Sequence, residues 1–227
     1  MEKNIVITGA SRGIGFAMTR AFLKAGHRVV ALSRKSATLE ALNHPNCFVV
    51  AMDISREQEV IQAGALVAKQ LNRIDALIHN AGKLINKPFK DLEFQELQEV
   101  YAVNVFGPMM LTKQLLTCMD HQTHVVSISS MGGVNGTAKF PGLSAYSSSK
   151  GALTIWSEVM AEEHKDNGPK FNTLALGAVQ TEMLSEAFPD YQAPMTAEQM
   201  AKYIVNFALE GHHIFNGKTL NAAQSTP

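Results

Sequence analysis

A tyrosine and a lysine stand four residues apart in YSSSK, residues 146 to 150, within the segment GLSAYSSSKGALTIWSEVMAEEH. That segment has helical spacing, and four residues at 3.6 per turn return to one face, so Tyr146 and Lys150 are neighbours. An unperturbed tyrosine titrates near pH ~10, too high for an effective base at neutral pH. A cation beside it favours the phenolate, so the pair could form an activated phenol that gives and takes a proton. An isolated Tyr-x-x-x-Lys also fits a solvated, serine-rich helix start, so the rest of the chain has to decide.

A second cluster, TGASRGIG at residues 8–15, joins a short apolar run to a helical pattern. Glycines permit a tight turn and close approach of the backbone to a ligand, and the free N–H groups of a helix start favour a pyrophosphate. Gly9, Gly13 and Gly15 do not have the G-x-G-x-x-G spacing, so that rule alone does not cover the loop, which could be a structural turn.

The elements that must position these groups follow from patterning. Apolar runs rich in β-branched residues occur at 4–8, 28–33, 48–52, 76–80, 124–129 and 171–176, and they read as strands buried on both faces. Helical spacing occupies IGFAMTRAFLKAG, REQEVIQAGALVAKQL, FQELQEVYAVNVFGPMMLTKQLLTCM and the YSSSK segment as far as about His164. This alternation predicts an α/β fold, a doubly wound parallel sheet with helices on both faces. Ligands of such sheets bind at the carboxyl ends of the strands.

With 227 residues, 46% of them hydrophobic, the chain suits a single domain over 1–227. Twenty basic and twenty acidic residues cancel, which argues against nucleic acid or an anionic membrane as partner. Cys47 and Cys118 have no disulfide or zinc spacing and read as buried, reduced thiols. No signal-peptide pattern or membrane-length apolar run is visible, and a soluble, cytoplasmic protein is expected. HQTH at 121–124 and the His212–His213 pair lack the partners a metal needs and read as surface histidines; no metal site is expected.

Taken in order, TGASRGIG, HNAG (79–82), Asn104, Ser129–Ser130 and YSSSK resemble the motifs of the short-chain dehydrogenase/reductase family from Ile5 to about Leu220. The resemblance implies a Rossmann-type sheet and an oxidoreductase that moves a hydride between a nicotinamide and a small-molecule carbonyl or alcohol. It implies that Tyr146 protonates the substrate oxygen and that Lys150 also holds the nicotinamide ribose. Ser130, or Ser129 in its place, would stabilise the oxygen's developing charge. Asn104 would position a water in a proton relay, or else bond backbone at a helix irregularity. The stretch from Ser130 to Tyr146 is somewhat longer than the family usually has.

The implied cofactor cradle comprises Gly9, Ser11, Arg12, Gly13, Ile14 and Gly15. Asp53 and Ile54 would lie at the adenine, with Asn80, Ala81 and Gly82 near its ribose, and Gly177, Val179 and Thr181 at the carboxamide. The second strand ends in Ser33 and Arg34, with no acidic residue before Glu40. A guanidinium there pairs with a 2′-phosphate where a carboxylate would repel it, and Arg12 adds charge, so NADP(H) is the expected cofactor. His79 replaces the usual first Asn of the family's Asn-Asn-Ala-Gly, and Leu176 stands where Pro is usual before Gly177.

Residues 182–195 occupy the position of the family's substrate lid. There Met183, Leu184, Phe188, Tyr191 and Met195, with Phe140 from an earlier loop, line an apolar pocket or pack against the domain. The expected reaction is NADPH-dependent reduction of an aldehyde, ketone or 3-oxoacyl carbonyl. The alternative is a non-catalytic NADP-binding sensor or regulator. The family's habit implies a homodimer or homotetramer formed through the helices that carry Asn104 and Tyr146.

Overall fold

The computed structural model describes residues 1–223, so the last four positions of the expected domain lie outside the described residues. Six strands form within a residue or two of where the apolar runs predict them: β1 (Asn4–Thr8), β2 (Arg28–Ser33), β3 (Cys47–Ala51), β4 (Ala76–His79), β5 (His124–Ser130) and β6 (Lys170–Leu176). They pair in parallel with one further strand, β9 (Lys218–Ala222), in the order β3-β2-β1-β4-β5-β6-β9. KTLNA carries no apolar run because β9 is an edge strand and is at most half-buried, which is why sequence patterning does not mark it.

Helices cover both faces, as a parallel sheet requires. On one side, α1 (Gly13–Lys24) and α8 (Ala197–Glu210) bury Met18, Phe22, Met200 and Ile204 against Ile5, Ile7 and Val29. On the other side, α3 (Glu57–Gln70), α5 (Gly107–Leu115) and α6 (Ser144–Glu163) bury Val60, Leu111 and Ala161 against Val6, Leu77 and Val125. Helical spacing is not expected at α8 from the apolar pattern, although Thr196 and Gln199 form a capping box whose spacing marks its start. A single turn, α2 (Ala37–Glu40), follows β2.

The long helix expected across 94–119 is divided. It consists of α4 (Phe94–Tyr101), a π-helical turn (Ala102–Phe106), α5 and a short 3₁₀ turn (Leu116–Cys118). Gly107-Pro108 lies at the end of the π turn, where proline has no N–H to continue the ladder. A β-carbon on Gly107 would lie 2.5 Å from Ile54 Cγ1 and 2.6 Å from the Ile54 carbonyl oxygen, so only glycine lets the helix approach the loop after β3 so closely.

Two further expectations are corrected. His124 is a core residue at 0% exposure: its ring bonds the Ala208 carbonyl at 3.1 Å and Asn172 Nδ2 at 3.0 Å, joining β5, β6 and α8. Cys47 and Cys118 are half-buried, Cys47 because β3 is the other edge strand.

Candidate active site

The strand order reverses between β1 and β4, and a cleft of ≈ 910 Å³ opens at their carboxyl ends. The glycine loop forms one wall. It is fastened to β4 by Asn80, whose Nδ2 donates to the carbonyls of Thr8 at 3.0 Å and Gly9 at 3.1 Å. Thr8 Oγ1 returns the contact by accepting from the backbone N–H of Asn80 and of Ala81, each at 3.0 Å. This reciprocal lock gives Thr8 and Asn80 a positioning role that spacing alone does not reveal. A β-carbon on Gly15 would overlap the Gly9 carbonyl oxygen and come within 2.6 Å of Asn80 Nδ2, so the cradle is shaped for bare backbone.

Tyr146 and Lys150, on the first turns of α6, line the same cleft. Of the two candidate serines, Ser130 is the one whose hydroxyl acts on the Tyr146 phenol, lowering its pKa, and its Oγ accepts from Gly132 N at 3.2 Å. Ser129 turns into α6, donating to the Lys150 carbonyl at 3.0 Å and accepting from Thr154 at 3.2 Å. Lys150 is 3% exposed; its Nζ donates to the Ile128 carbonyl at 2.8 Å and lies 5.8 Å from the Tyr146 ring centroid.

Burial dominates both groups. Tyr146 keeps part of its surface open to the cleft, yet the protein around it pushes the phenol up to about 12, and the neighbouring Ser130 hydroxyl pulls it back only in part. Lys150 is driven down to about 8 by burial. The expectation that Lys150 lowers the phenol's pKa is therefore corrected for the protein by itself. The ammonium lies over the ring, 5.8 Å from its centroid, and burial, the largest cause acting on the phenol, raises its pKa.

Asn104 sits at 0% exposure in the π turn. Its Oδ1 accepts from Lys83 N at 2.7 Å, and its Nδ2 donates to the Lys83 carbonyl and to Ser149 Oγ, both at 2.9 Å. It ties the segment after β4 to α6, in agreement with a polar residue bonding backbone at a helix irregularity. A β-carbon on Gly82 would lie 3.6 Å from Lys150 Nζ and 3.7 Å from Asn104 Oδ1, so both side chains border the same residue of the cleft.

The sequence matches the family model described as short chain dehydrogenase over residues 3–192. The chain belongs to the short-chain dehydrogenase/reductase family, and it is an oxidoreductase of that family. An oxidoreductase of Botryotinia fuckeliana, BOA17, is 32% identical over 92% of this chain and 76% of its own. A farnesol dehydrogenase of Aedes aegypti is 33% identical over 82% of this chain and 80% of its own. Among solved structures, ElxO with NADP bound superposes with a TM-score of 0.85 at 26% identity, covering 98% of each chain. A 3-ketoacyl-(acyl-carrier-protein) reductase from Brucella melitensis, complexed with NADH, has the same fold with a TM-score of 0.88 at 23% identity, over 99% of this chain and 98% of that one.

The other expected contacts of this short-chain dehydrogenase/reductase also border the cleft: Ser11, Gly13 and Ile14 in the loop, Ser33 at the end of β2 and Arg34 just beyond it, Asp53 and Ile54 after β3, and Gly177, Val179 and Thr181 after β6. Ser33 Oγ donates to Ser11 Oγ at 2.7 Å, linking the end of β2 to the glycine loop. Burial works to raise the Asp53 carboxyl, but hydrogen bonds from Ser55 and the charges of Arg34 and Arg56 outweigh it and hold the group below its ordinary value. Arg12 is already engaged, its Nη1 donating to Glu186 Oε1 at 2.5 Å.

Both departures from the family pattern have local explanations. His79 points away from the cleft, into the core; its Nε2 is 2.8 Å from Thr112 Oγ1 and its ring meets Trp156 edge-on. Leu176 extends the ladder of β6 to its last residue, paired with Ser130 on one side and Ala222 on the other.

Beyond Thr181, whose Oγ1 accepts from Leu184 N at 3.2 Å, the chain forms α7 (Glu182–Ala187). A small parallel pair, β7 (Val179–Gln180) with β8 (Met195–Thr196), closes the segment at its base. Phe140, Leu143, Met183, Leu184, Phe188 and Tyr191 line the cleft on this side, while Met195 packs against the core.

Proposed function

We propose that this protein is an NADPH-dependent reductase of an aldehyde, ketone or 3-oxoacyl carbonyl, with Tyr146 as the general acid/base. The observation that carries this reading is the placement of Ser130, Tyr146 and the buried Lys150 in one cleft with a bare-backbone glycine cradle. The cradle from Gly9 to Gly15 would hold the pyrophosphate, Arg34 and Ser33 a 2′-phosphate, Asp53 the adenine side, and Thr181 and Val179 the carboxamide. When bound, the reduced nicotinamide supplies the hydride.

Carbonyl reduction requires a proton at the oxygen as negative charge develops there. Tyr146, held neutral by its raised pKa, is in the donating form at neutral pH. Ser130 donates a second hydrogen bond to the same oxygen, in the manner of an oxyanion site. Lys150, at about 8, is still mostly an ammonium at neutral pH and lies beside the phenolate left behind, favouring its formation. Asn104 holds the Lys83 backbone and Ser149 fixed beside Lys150. The apolar lining around Phe140 and Phe188 suits a lipophilic carbonyl carrier. Association as a homodimer or homotetramer is part of this reading, supported by Phe106 at 56% exposure and Ile155 at 61% on the helices that carry the site.

The test is oxidation of NADPH and NADH, followed by absorbance, against a panel of aldehydes, ketones and β-ketoacyl thioesters, with Tyr146→Phe as control. Carbonyl-dependent oxidation of NADPH that disappears in the variant supports the proposal. Tight cofactor binding with no carbonyl reduced by the unmodified protein points to the sensor reading, for which a buried lysine has no evident use.

A further inference from the structure

The basic neighbourhood assigned above to a 2′-phosphate already holds an anion supplied by the protein. Arg12 Nη1 donates to Glu186 Oε1 at 2.5 Å and Nη2 to Oε2 at 3.4 Å, a two-pronged contact of the kind a guanidinium makes with a phosphate. The Arg12 hydrogen bond and charge, followed by the charge of Lys35, hold the Glu186 carboxyl below its ordinary value. Glu186 thus lies within the field of the residues that flank the end of β2.

Glu182 lies one turn earlier on the same face of α7. Its Oε2 is 3.3 Å from where a β-carbon on Gly13 would stand, and its charge also acts on Arg12. Two carboxylates of one short helix therefore face the loop whose N–H groups suit phosphates. The helix is docked at both ends, by Thr181 Oγ1 at its start and by Asn86 Nδ2 donating to the Ala187 carbonyl at 3.0 Å.

We infer that Glu186 is a determinant of cofactor binding, standing in for the 2′-phosphate in the cofactor-free protein so that NADP(H) binds by taking Arg12 from it and releasing α7. The inference rests on the NADP(H) reading. A cofactor without a 2′-phosphate has no group to exchange for the Glu186 carboxylate and leaves the Arg12–Glu186 contact in place. The 2′-phosphate would then both add affinity and loosen the helix that carries Met183 and Leu184 into the substrate side of the cleft. Both partners are substantially exposed, with side chains at 48% and 63%, so the competition is modest. Removing it is worth about 2- to 5-fold in Kd, the range of an exposed pair.

The test compares the full chain with Glu186→Gln by calorimetric titration of NADPH, NADH, 2′,5′-ADP and 5′-ADP, together with hydrogen exchange of the α7 amides, among them Ser185 and Phe188. The expected result is 2- to 5-fold tighter binding of NADPH and 2′,5′-ADP by the variant, unchanged binding of NADH and 5′-ADP, and faster α7 exchange in the variant alone. In the unmodified protein, 2′,5′-ADP should speed α7 exchange and 5′-ADP should not. If the unmodified protein prefers the 2′-phosphorylated ligands but Glu186→Gln leaves them unchanged, weakens them or shifts all four alike, the exchange is refuted and the NADP(H) reading stands. If the unmodified protein shows no preference for the 2′-phosphate, the NADP(H) reading fails and the inference with it.

Discussion

Replacing Lys150 by methionine removes a buried charge while keeping the length of the side chain, and its effect on stability can be worked out from the site. Burial lowers the Lys150 pKa from 10.5 to about 8. Between those values the unfolded chain holds a proton that the folded protein has released, so the folded state gains stability as pH rises. Below pH ~8 the full cost of a charged, buried lysine applies, about 3 kcal/mol at ~1.4 kcal/mol per pKa unit. Losing the hydrogen bond to the Ile128 carbonyl offsets roughly 2 kcal/mol of the gain from removing the charge. Lys150→Met should therefore be more stable than the unmodified protein by about 1 kcal/mol at neutral pH, while losing turnover. The pH slope is the sharper quantity, because it does not depend on that hydrogen bond. Stability of the unmodified protein should gain about 2 kcal/mol from Lys150 between roughly pH 7.5 and 9.5, and the variant should lack this gain. Tyr146 opposes it only above pH ~10, where the folded protein keeps a proton the unfolded chain gives up. Urea unfolding of both proteins without cofactor, across this range, measures the difference. Parallel pH profiles would refute the claim that burial governs the electrostatics of the site.

Other consequences are open to similar tests. Gly15→Ala places a methyl against the Gly9 carbonyl and Asn80; overpacking of about 1–3 kcal/mol should appear as roughly 5- to 100-fold weaker cofactor binding by calorimetry, and an unchanged Kd would contradict the cradle. Arg34→Ala should weaken NADPH roughly 10- to 100-fold with little effect on NADH, the loss of a charged hydrogen bond, and an unaltered ratio would argue against Arg34 as a phosphate ligand. Burial holds both His79 and His124 down to about 3. The unfolded chain takes up protons below pH ~6.5 that these folded imidazoles refuse, so stability should fall by about 2 kcal/mol per histidine by pH ~5. His124→Gln should reduce that fall in urea titrations at the two pH values.

The strands of the sheet and the order of the motifs are legible in the sequence because strands buried on both faces must be almost wholly apolar, as in NIVIT and RVVALS. What is not legible depends on burial or on tertiary partners. β9 is an edge strand with a polar composition, and the reading passes over α8 although the capping box at Thr196 announces it. Ser129 and Ser130 are indistinguishable as neighbours in a strand until α6 is placed over one of them, since alternate side chains leave opposite faces. Spacing puts Lys150 near Tyr146 but shows neither the lysine over the ring nor the burial that raises the phenol's pKa. The engagement of Arg12 by Glu186, 174 residues away, has no local signature in the chain.

The proposed function stands on one step, in which a hydride moves from NADPH to a carbonyl carbon while Tyr146 protonates the oxygen. Its most direct measurement is mass spectrometry of the alcohol formed from stereospecifically deuterated NADPH and a lipophilic aldehyde or ketone, with the unmodified protein and Tyr146→Phe. One deuterium on the carbinol carbon, with the rate of its formation reduced about 10²- to 10⁴-fold in the variant, is the predicted result. Label absent from every carbonyl tested, or incorporated equally fast without the Tyr146 hydroxyl, would contradict it.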